Sequence, residues 1–126
     1  MRAVDTNVLV RVLLRDDPKQ VALADQFISA GAWVSHLVLM EAIWVLSTAA
    51  GLASNDLARA IQMVLEHRDL TVEDSDTVTD ALAEFRQHPA LGFADCLILE
   101  VARRAGHLPL GTFDRQLAKR DGVHKL

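Results

Sequence analysis

Four of the seventeen acidic residues occupy positions where an acidic side chain that only contacts solvent is uncommon. Asp5 and Asp114 each follow a short apolar segment that is typical of a strand, and Asp95 falls in the first turn of a predicted helix. Glu41 lies within an apolar helical stretch, and no Arg or Lys occurs between residues 20 and 58. We expect Glu41 to face inward, where a carboxylate needs compensation. Together the four acids are candidates for a cation site.

Each acid also has a purely structural interpretation. Asp5 and Asp114 suit the N-caps of following helices, the helix dipole favours Asp95, and Glu41 could pair with a base distant in sequence. In an open parallel sheet, however, residues beyond the carboxyl ends of the strands meet at one edge. Carboxylates gathered there raise one another's pKa values unless a cation is bound, and oxygen ligands suit Mg²⁺ or Mn²⁺.

Composition and charge exclude several classes of protein. A chain of 126 residues with 51% hydrophobic residues fits one globular domain, spanning residues 1–126. A net charge of −4 and the absence of Tyr argue against nucleic-acid binding that depends mainly on positive charge or base stacking. One cysteine and five scattered histidines indicate neither a disulfide framework nor a zinc site. Since residues 30–53 are interrupted by Glu41 and no signal segment is visible, we expect a cytoplasmic protein without a membrane span.

Periodicity predicts helices that alternate with short strands. The predicted strands are residues 2–4, 32–34, 70–73, 108–110 and, less clearly, 123–125, while residues 8–14 fit either a strand or a buried helix. This alternation is typical of βαβ crossovers and a parallel sheet. The four predicted helices carry apolar stripes formed by Val21, Ala24, Phe27 and Ile28; by Leu57, Ile61, Val64 and Leu65; by Val78, Ala81, Leu82 and Phe85; and by Ala94, Leu97, Ile98 and Val101.

Four sequence motifs together resemble those of PIN domains. They are VDTNVLVR at residues 4–11, EAIWVL at 41–46, FADCLI at 93–98 and TFD at 112–114. Their order and separations are most similar to those of VapC-type toxins of type II toxin–antitoxin systems. The resemblance covers essentially the whole chain, and the joint pattern is specific although no single motif is.

The resemblance implies an α/β fold, a PIN-like α/β/α sandwich with a short twisted parallel sheet of four to five strands, in which residues 8–14 are helical. It also implies an Mg²⁺- or Mn²⁺-dependent endoribonuclease that dimerises and is inhibited by a VapB-type antitoxin. Asp5, Asp95 and Asp114 would then bind the metal, and Glu41 would bind it through water or orient the attacking water. Thr112 would support the fourth acid. Many PIN domains have a further acid near the third one, which is Asp95 here. In this chain Ile98 and Leu99 follow Asp95 instead.

Several other assignments follow from individual residues. Arg11 and Arg15, one helical turn apart, and Arg115 beside Asp114 are candidate contacts for substrate phosphates, although each also suits an ordinary solvated surface. An aspartyl phosphatase would need an acid at position 7, where this chain has Asn7, and a receiver domain would need a Lys after a late strand. A catalytically silent PIN-fold module that binds RNA or protein is the alternative to a nuclease. Cys96 is expected to be a buried hydrophobic side chain.

Overall fold

The computed structural model describes the whole chain, residues 1–126, as six α-helices and five short strands. The predicted α/β class is confirmed, and residues 8–14 belong to a helix. No helix has both the length and the apolar character needed to span a bilayer. The elements are β1 (Arg2–Ala3), α1 (Thr6–Leu14), α2 (Pro18–Ile28), β2 (Ala32–Val34), α3 (His36–Thr48), α4 (Ser54–Glu66), β3 (Leu70–Val72), α5 (Ser75–Gln87), α6 (Phe93–Ala105), β4 (Leu110–Thr112) and β5 (Val123–Lys125), with 3-10 helices at Pro89–Leu91 and Leu117–Lys119.

The chain divides into two compact units, of which the first is Met1–Ser75. Its three strands form a parallel sheet in the order β1-β2-β3, with Ala32 opposite Arg2 on one side and opposite Leu70 on the other. Alternation along β2 buries Ala32 and Val34 and leaves Trp33 exposed between them. Helices α1 to α4 complete this unit, and their core side chains include Leu9, Ile28, Leu39, Leu46 and Ile61.

The second unit, Asp76–Leu126, contains α6, nearly all of α5, and the parallel pair β4-β5. All four residues of the predicted α5 stripe are buried. The ring of Phe85 on α5 meets the ring of Phe93 on α6 edge to face, with centroids 6.1 Å apart and an interplanar angle of 67°. This contact links the last turn of α5 to the first turn of α6. The assignment of residues 1–126 to a single domain remains a prediction.

The predicted strands are all present and parallel, and they pair as a set of three and a set of two. Strand β4 is displaced toward the C-terminus relative to its prediction, beginning at Leu110. Pro109, within the predicted segment, has no N–H to donate to a strand ladder, and its peptide bond with Leu108 is cis. The ladder therefore runs from Leu110 to Thr112, opposite Val123 to Lys125.

The predicted buried stripe of α6 is wrong at three of its four positions. Leu97 is buried, whereas Ala94, Ile98 and Val101 are exposed, the last two by 43% and 41%. The helix instead buries Phe93, Cys96, Leu97 and Leu99. Apolar residues occur on more than one side of this helix, so periodicity allowed more than one orientation. In the orientation that the helix adopts, Phe93 packs against Phe85.

Candidate active site

Asp5 lies between β1 and α1, in the first unit, and caps the helix. Its Oδ1 accepts a hydrogen bond from the backbone N–H of Val8 (3.1 Å), and its extended backbone (φ −92°, ψ 179°) is typical of an N-cap. The side chain is nevertheless exposed, and the capping bond uses Oδ1 alone. Asp5 therefore caps α1, as its purely structural interpretation predicted. The cap leaves the second oxygen of this carboxylate for a ligand.

Asp5 also lines a cleft of about 380 Å³ between α1 and α2. Polar Asn7 and Gln20 share this cleft with apolar Leu23 and Phe27. Sequence reasoning did not identify these residues, because they come from two helices whose relative placement no local pattern reveals. The only sequence signal was the proximity of Asn7 to Asp5 in the first motif.

Glu41 is exposed on α3, so the expectation that it faces inward is wrong. Its helical neighbours Leu37 and Trp44 are exposed as well, by 78% and 65%. Helix α3 is apolar around most of its circumference, and its core positions are Leu39, Ala42, Ile43 and Leu46. Glu41 therefore lies on a solvent-accessible apolar surface, which we call the α3 surface and define by Leu37, Glu41 and Trp44.

Asp95 and Asp114 belong to the second unit and act on each other electrostatically. Asp95 is half-buried in the first turn of α6. Its pKa is raised, first because burial disfavours the charged form and second because the Asp114 carboxylate repels it. The Asp114 carboxylate therefore acts on that of Asp95, and the assignment of the four acids to one site remains a prediction.

Backbone and hydroxyl hydrogen bonds hold Asp114 in place. Its Oδ1 accepts from the backbone N–H groups of Gln116 (2.7 Å) and Leu117 (3.0 Å), at the start of the 3-10 helix. The hydroxyl oxygen of Thr112 accepts from the backbone N–H of Asp114 (3.0 Å). Thr112, predicted to support the fourth acid, therefore contacts the backbone of that acid directly.

If the chain cleaves RNA as the resemblance implies, replacing Thr112 with valine is expected to reduce cleavage about tenfold, because the backbone N–H of Asp114 loses its acceptor and the turn that carries the carboxylate is held less firmly. Thr112→Ser keeps the hydroxyl and should restore most of the activity. The comparison is made by measuring cleavage rates for both variants at saturating Mg²⁺. Equal rates for the valine and serine variants would contradict a positioning role.

Two of the three arginines proposed for phosphate contact are engaged with carboxylates. Arg11 lies 2.8 Å from Asp16 and donates to Gln20 (2.6 Å), and Arg15 forms two hydrogen bonds with the Asp25 carboxylate (3.2 and 2.7 Å). These partners offset the charges of Arg11 and Arg15. Arg115 is exposed and forms no ion pair. The roles of all three arginines in substrate binding remain predictions.

The donor chemistry of the second-unit acids fits a hard divalent cation. Asp95 and Asp114 supply carboxylate oxygens, the ligands that Mg²⁺ and Mn²⁺ prefer, and their repulsion would be relieved by a bound cation. Within neither unit do three His, Cys, Asp or Glu side chains form a group able to hold a metal. Cys96 supplies no thiolate, since burial and nearby acids raise its pKa to about 12.

The comparison with protein families agrees with this fold. The PIN domain family matches residues 2–123, and the chain belongs to that family. The parallel strands and six helices are consistent with the PIN-like α/β/α fold. PIN domains are generally nuclease modules, which commonly depend on divalent metals and act on RNA. No curated protein and no solved structure matches this chain.

Proposed function

We propose that this PIN domain is a divalent-metal-dependent endoribonuclease and the toxin of a toxin–antitoxin pair. The observation that carries the proposal is that the chain belongs to a family of nuclease modules and that its Asp114 carboxylate acts electrostatically on Asp95. The sequence motifs most similar to those of VapC-type toxins contain both residues. Mg²⁺ is the proposed cofactor, and Mn²⁺ would suit the same ligands.

In this proposal Asp5, Asp95 and Asp114 hold the cation, with Asp5 and Asp114 already oriented through their Oδ1 atoms. A bound cation would lower the pKa of a water molecule and neutralise charge on the scissile phosphate. Glu41, exposed on α3, would orient the attacking water by accepting its hydrogen bond. Such a site would allow a chain with a net charge of −4 to act on a polyanion.

The α3 surface is the feature that supports the proposal of a protein partner. Two large apolar side chains, Leu37 and Trp44, are mostly exposed on either side of Glu41. Contiguous exposed apolar side chains often mark interaction sites. An antitoxin segment seated on this surface would cover Glu41 and so inhibit the nuclease. We also propose a homodimer, on the basis of the resemblance to VapC-type toxins.

The nuclease assignment is tested by incubating the chain, freed of any co-purified partner, with total cellular RNA. We expect discrete fragments with Mg²⁺ or Mn²⁺ and none with EDTA, because the acids alone cannot stabilise the charge that develops on the phosphate. Mapping the fragment ends would then identify the target sequence. Fragments of the same yield in EDTA would contradict metal dependence, and no fragments under any condition would contradict the nuclease assignment.

A catalytically silent PIN-fold module that binds RNA or protein is the second candidate. It is favoured by one observation, that neither unit contains a ready-made group of three metal-binding side chains. Such a module would bind RNA or a protein partner with equal affinity in Mg²⁺ and EDTA and would release no fragments. The same incubation, followed by measurement of RNA retention on the protein, separates the two candidates.

A further inference from the structure

The two units differ in the distribution of their charges. The first unit contains ten acidic and six basic residues, so it accounts for the whole net charge, whereas the second contains seven of each. Within the second unit, the segment that follows Asp114, residues 115–125, carries four basic residues and one acid, Asp121. Basic residues therefore outnumber acidic ones in the segment that follows the fourth candidate acid, Asp114, although the second unit as a whole is balanced.

A cleft of about 420 Å³ lies within this part of the second unit. Part of its lining comes from the end of α5 and the 3-10 helix Pro89–Leu91, where His88 precedes exposed Pro89 and Ala90 and buried Leu91. The rest of its lining is formed by Gln116, Lys119 and Arg120. The cleft thus combines small apolar side chains with polar and basic ones, a combination that suits the base, sugar and phosphate of a nucleotide.

The basic part of the cleft lining is tied to the candidate acid. The backbone N–H of Gln116 donates to Oδ1 of Asp114 (2.7 Å), and the backbone N–H of Lys119 donates to the carbonyl of Gln116 (3.2 Å). One short run of hydrogen bonds therefore connects Asp114 to the cleft. The segment that carries Lys119 is thus fixed to Asp114 through Gln116.

The cations of the cleft differ in their availability. Arg120 lies 2.6 Å from Glu84, with both side chains largely covered, so its charge is offset within the protein. Lys119 is exposed and forms no ion pair. Lys119 is therefore the cation in this cleft that is available to an external phosphate, while Gln116 offers an amide for hydrogen bonding.

We propose that this cleft, which we call the Lys119 cleft, binds the backbone phosphate and the nucleoside of an RNA residue adjacent to the cleaved bond. Lys119 contacts the phosphate, and the exposed side chains of Pro89 and Ala90 pack against the sugar or base. The inference rests on the proposed ribonuclease function for its choice of ligand. It assigns substrate binding to a region that none of the acidic motifs includes.

The test measures binding of a fluorescein-labelled short single-stranded RNA to Asp95→Asn protein, which keeps the RNA intact, as a function of KCl concentration. Adding Lys119→Ala should weaken binding about eightfold at about 50 mM salt and about threefold at about 200 mM. The slope of log K against log salt should fall by about 0.7, the value expected for one lost phosphate contact on a single strand. Lys119→Arg, which keeps the charge, should retain the parental slope.

The matched control is Lys19→Ala, which removes the same charge from an exposed position on α2 in the first unit. Its salt slope should equal that of the parent. An unchanged slope in Lys119→Ala, an equal loss in Lys19→Ala, or the absence of RNA binding would each overturn the proposal. Cleavage by the chain with Asp95 intact is measured separately, so a failure of the nuclease assignment remains distinguishable from a failure of the cleft assignment.

Discussion

Asp95→Asn is expected to slow RNA cleavage by about a hundredfold to a thousandfold, the usual effect of losing one preorganised electrostatic group at a reacting centre. Asparagine keeps the size of the side chain but removes the negative charge that, with Asp114, would attract a cation. The measurement is the rate of fragment release from the mapped target in Mg²⁺. Asp76→Asn is the matched control, because Asp76 also occupies the first turn of a helix, α5, and is exposed. Full activity in Asp95→Asn would contradict the site assignment.

The same substitution should stabilise the metal-free protein at neutral pH. Partial burial and the Asp114 carboxylate raise the pKa of Asp95 in the folded state, so its charged form is disfavoured by folding. The stability contributed by neutral Asp95 is fully present below the unfolded-state pKa, about 3.9, and is lost as pH rises through the higher folded-state pKa. The advantage of Asp95→Asn should therefore grow as pH rises from about 4, measured by urea midpoints in EDTA. A variant that unfolds at a lower midpoint at neutral pH would contradict this reasoning.

Phe85→Ala is expected to lower the free energy of unfolding by about 3–5 kcal/mol, the usual cost of truncating a buried phenylalanine. Phe85 is buried, and its edge-to-face contact with Phe93 supports the first turn of α6, two residues before Asp95. Such a loss is a large fraction of the total stability of a small protein, about 5–15 kcal/mol. Urea unfolding followed by circular dichroism measures it.

Phe113→Ala is the control for this substitution, because the Phe113 side chain is 79% exposed. Its free energy of unfolding should change by no more than about 0.5 kcal/mol. If the two alanine variants lost similar stability, Phe85 would not be part of the core of the second unit.

Much of the secondary structure could be predicted because local rules specify it. Residues 32–34 match β2, and all four predicted helices occur. Asp5 could be assigned as a helix cap from its type and position alone, and the bond from Val8 agrees with that assignment. The four acids could be singled out because strand ends and apolar helices are unusual positions for an acidic side chain that only contacts solvent.

Helix orientation could not be predicted in the same way. On α3 and α6, apolar residues lie on more than one side, so the 3.6-residue period identifies a helix without specifying which side is buried. Glu41 and Ile98 were expected to face the core, and both are exposed. In contrast, the α5 stripe was predicted correctly, because polar residues such as Asp76 and Asp80 occupy the remaining positions.

The sequence by itself determined the α/β class, the family resemblance and the identities of the candidate acids, because these depend on residue type, order and local periodicity. Only the tertiary structure decided that Asp95 is partly buried, that Glu41 is exposed, and that Gln116 and Lys119 share a cleft with His88. Each of these facts depends on contacts between elements far apart in the chain. Such contacts are set by the combined packing of all side chains, which no single segment of the sequence encodes.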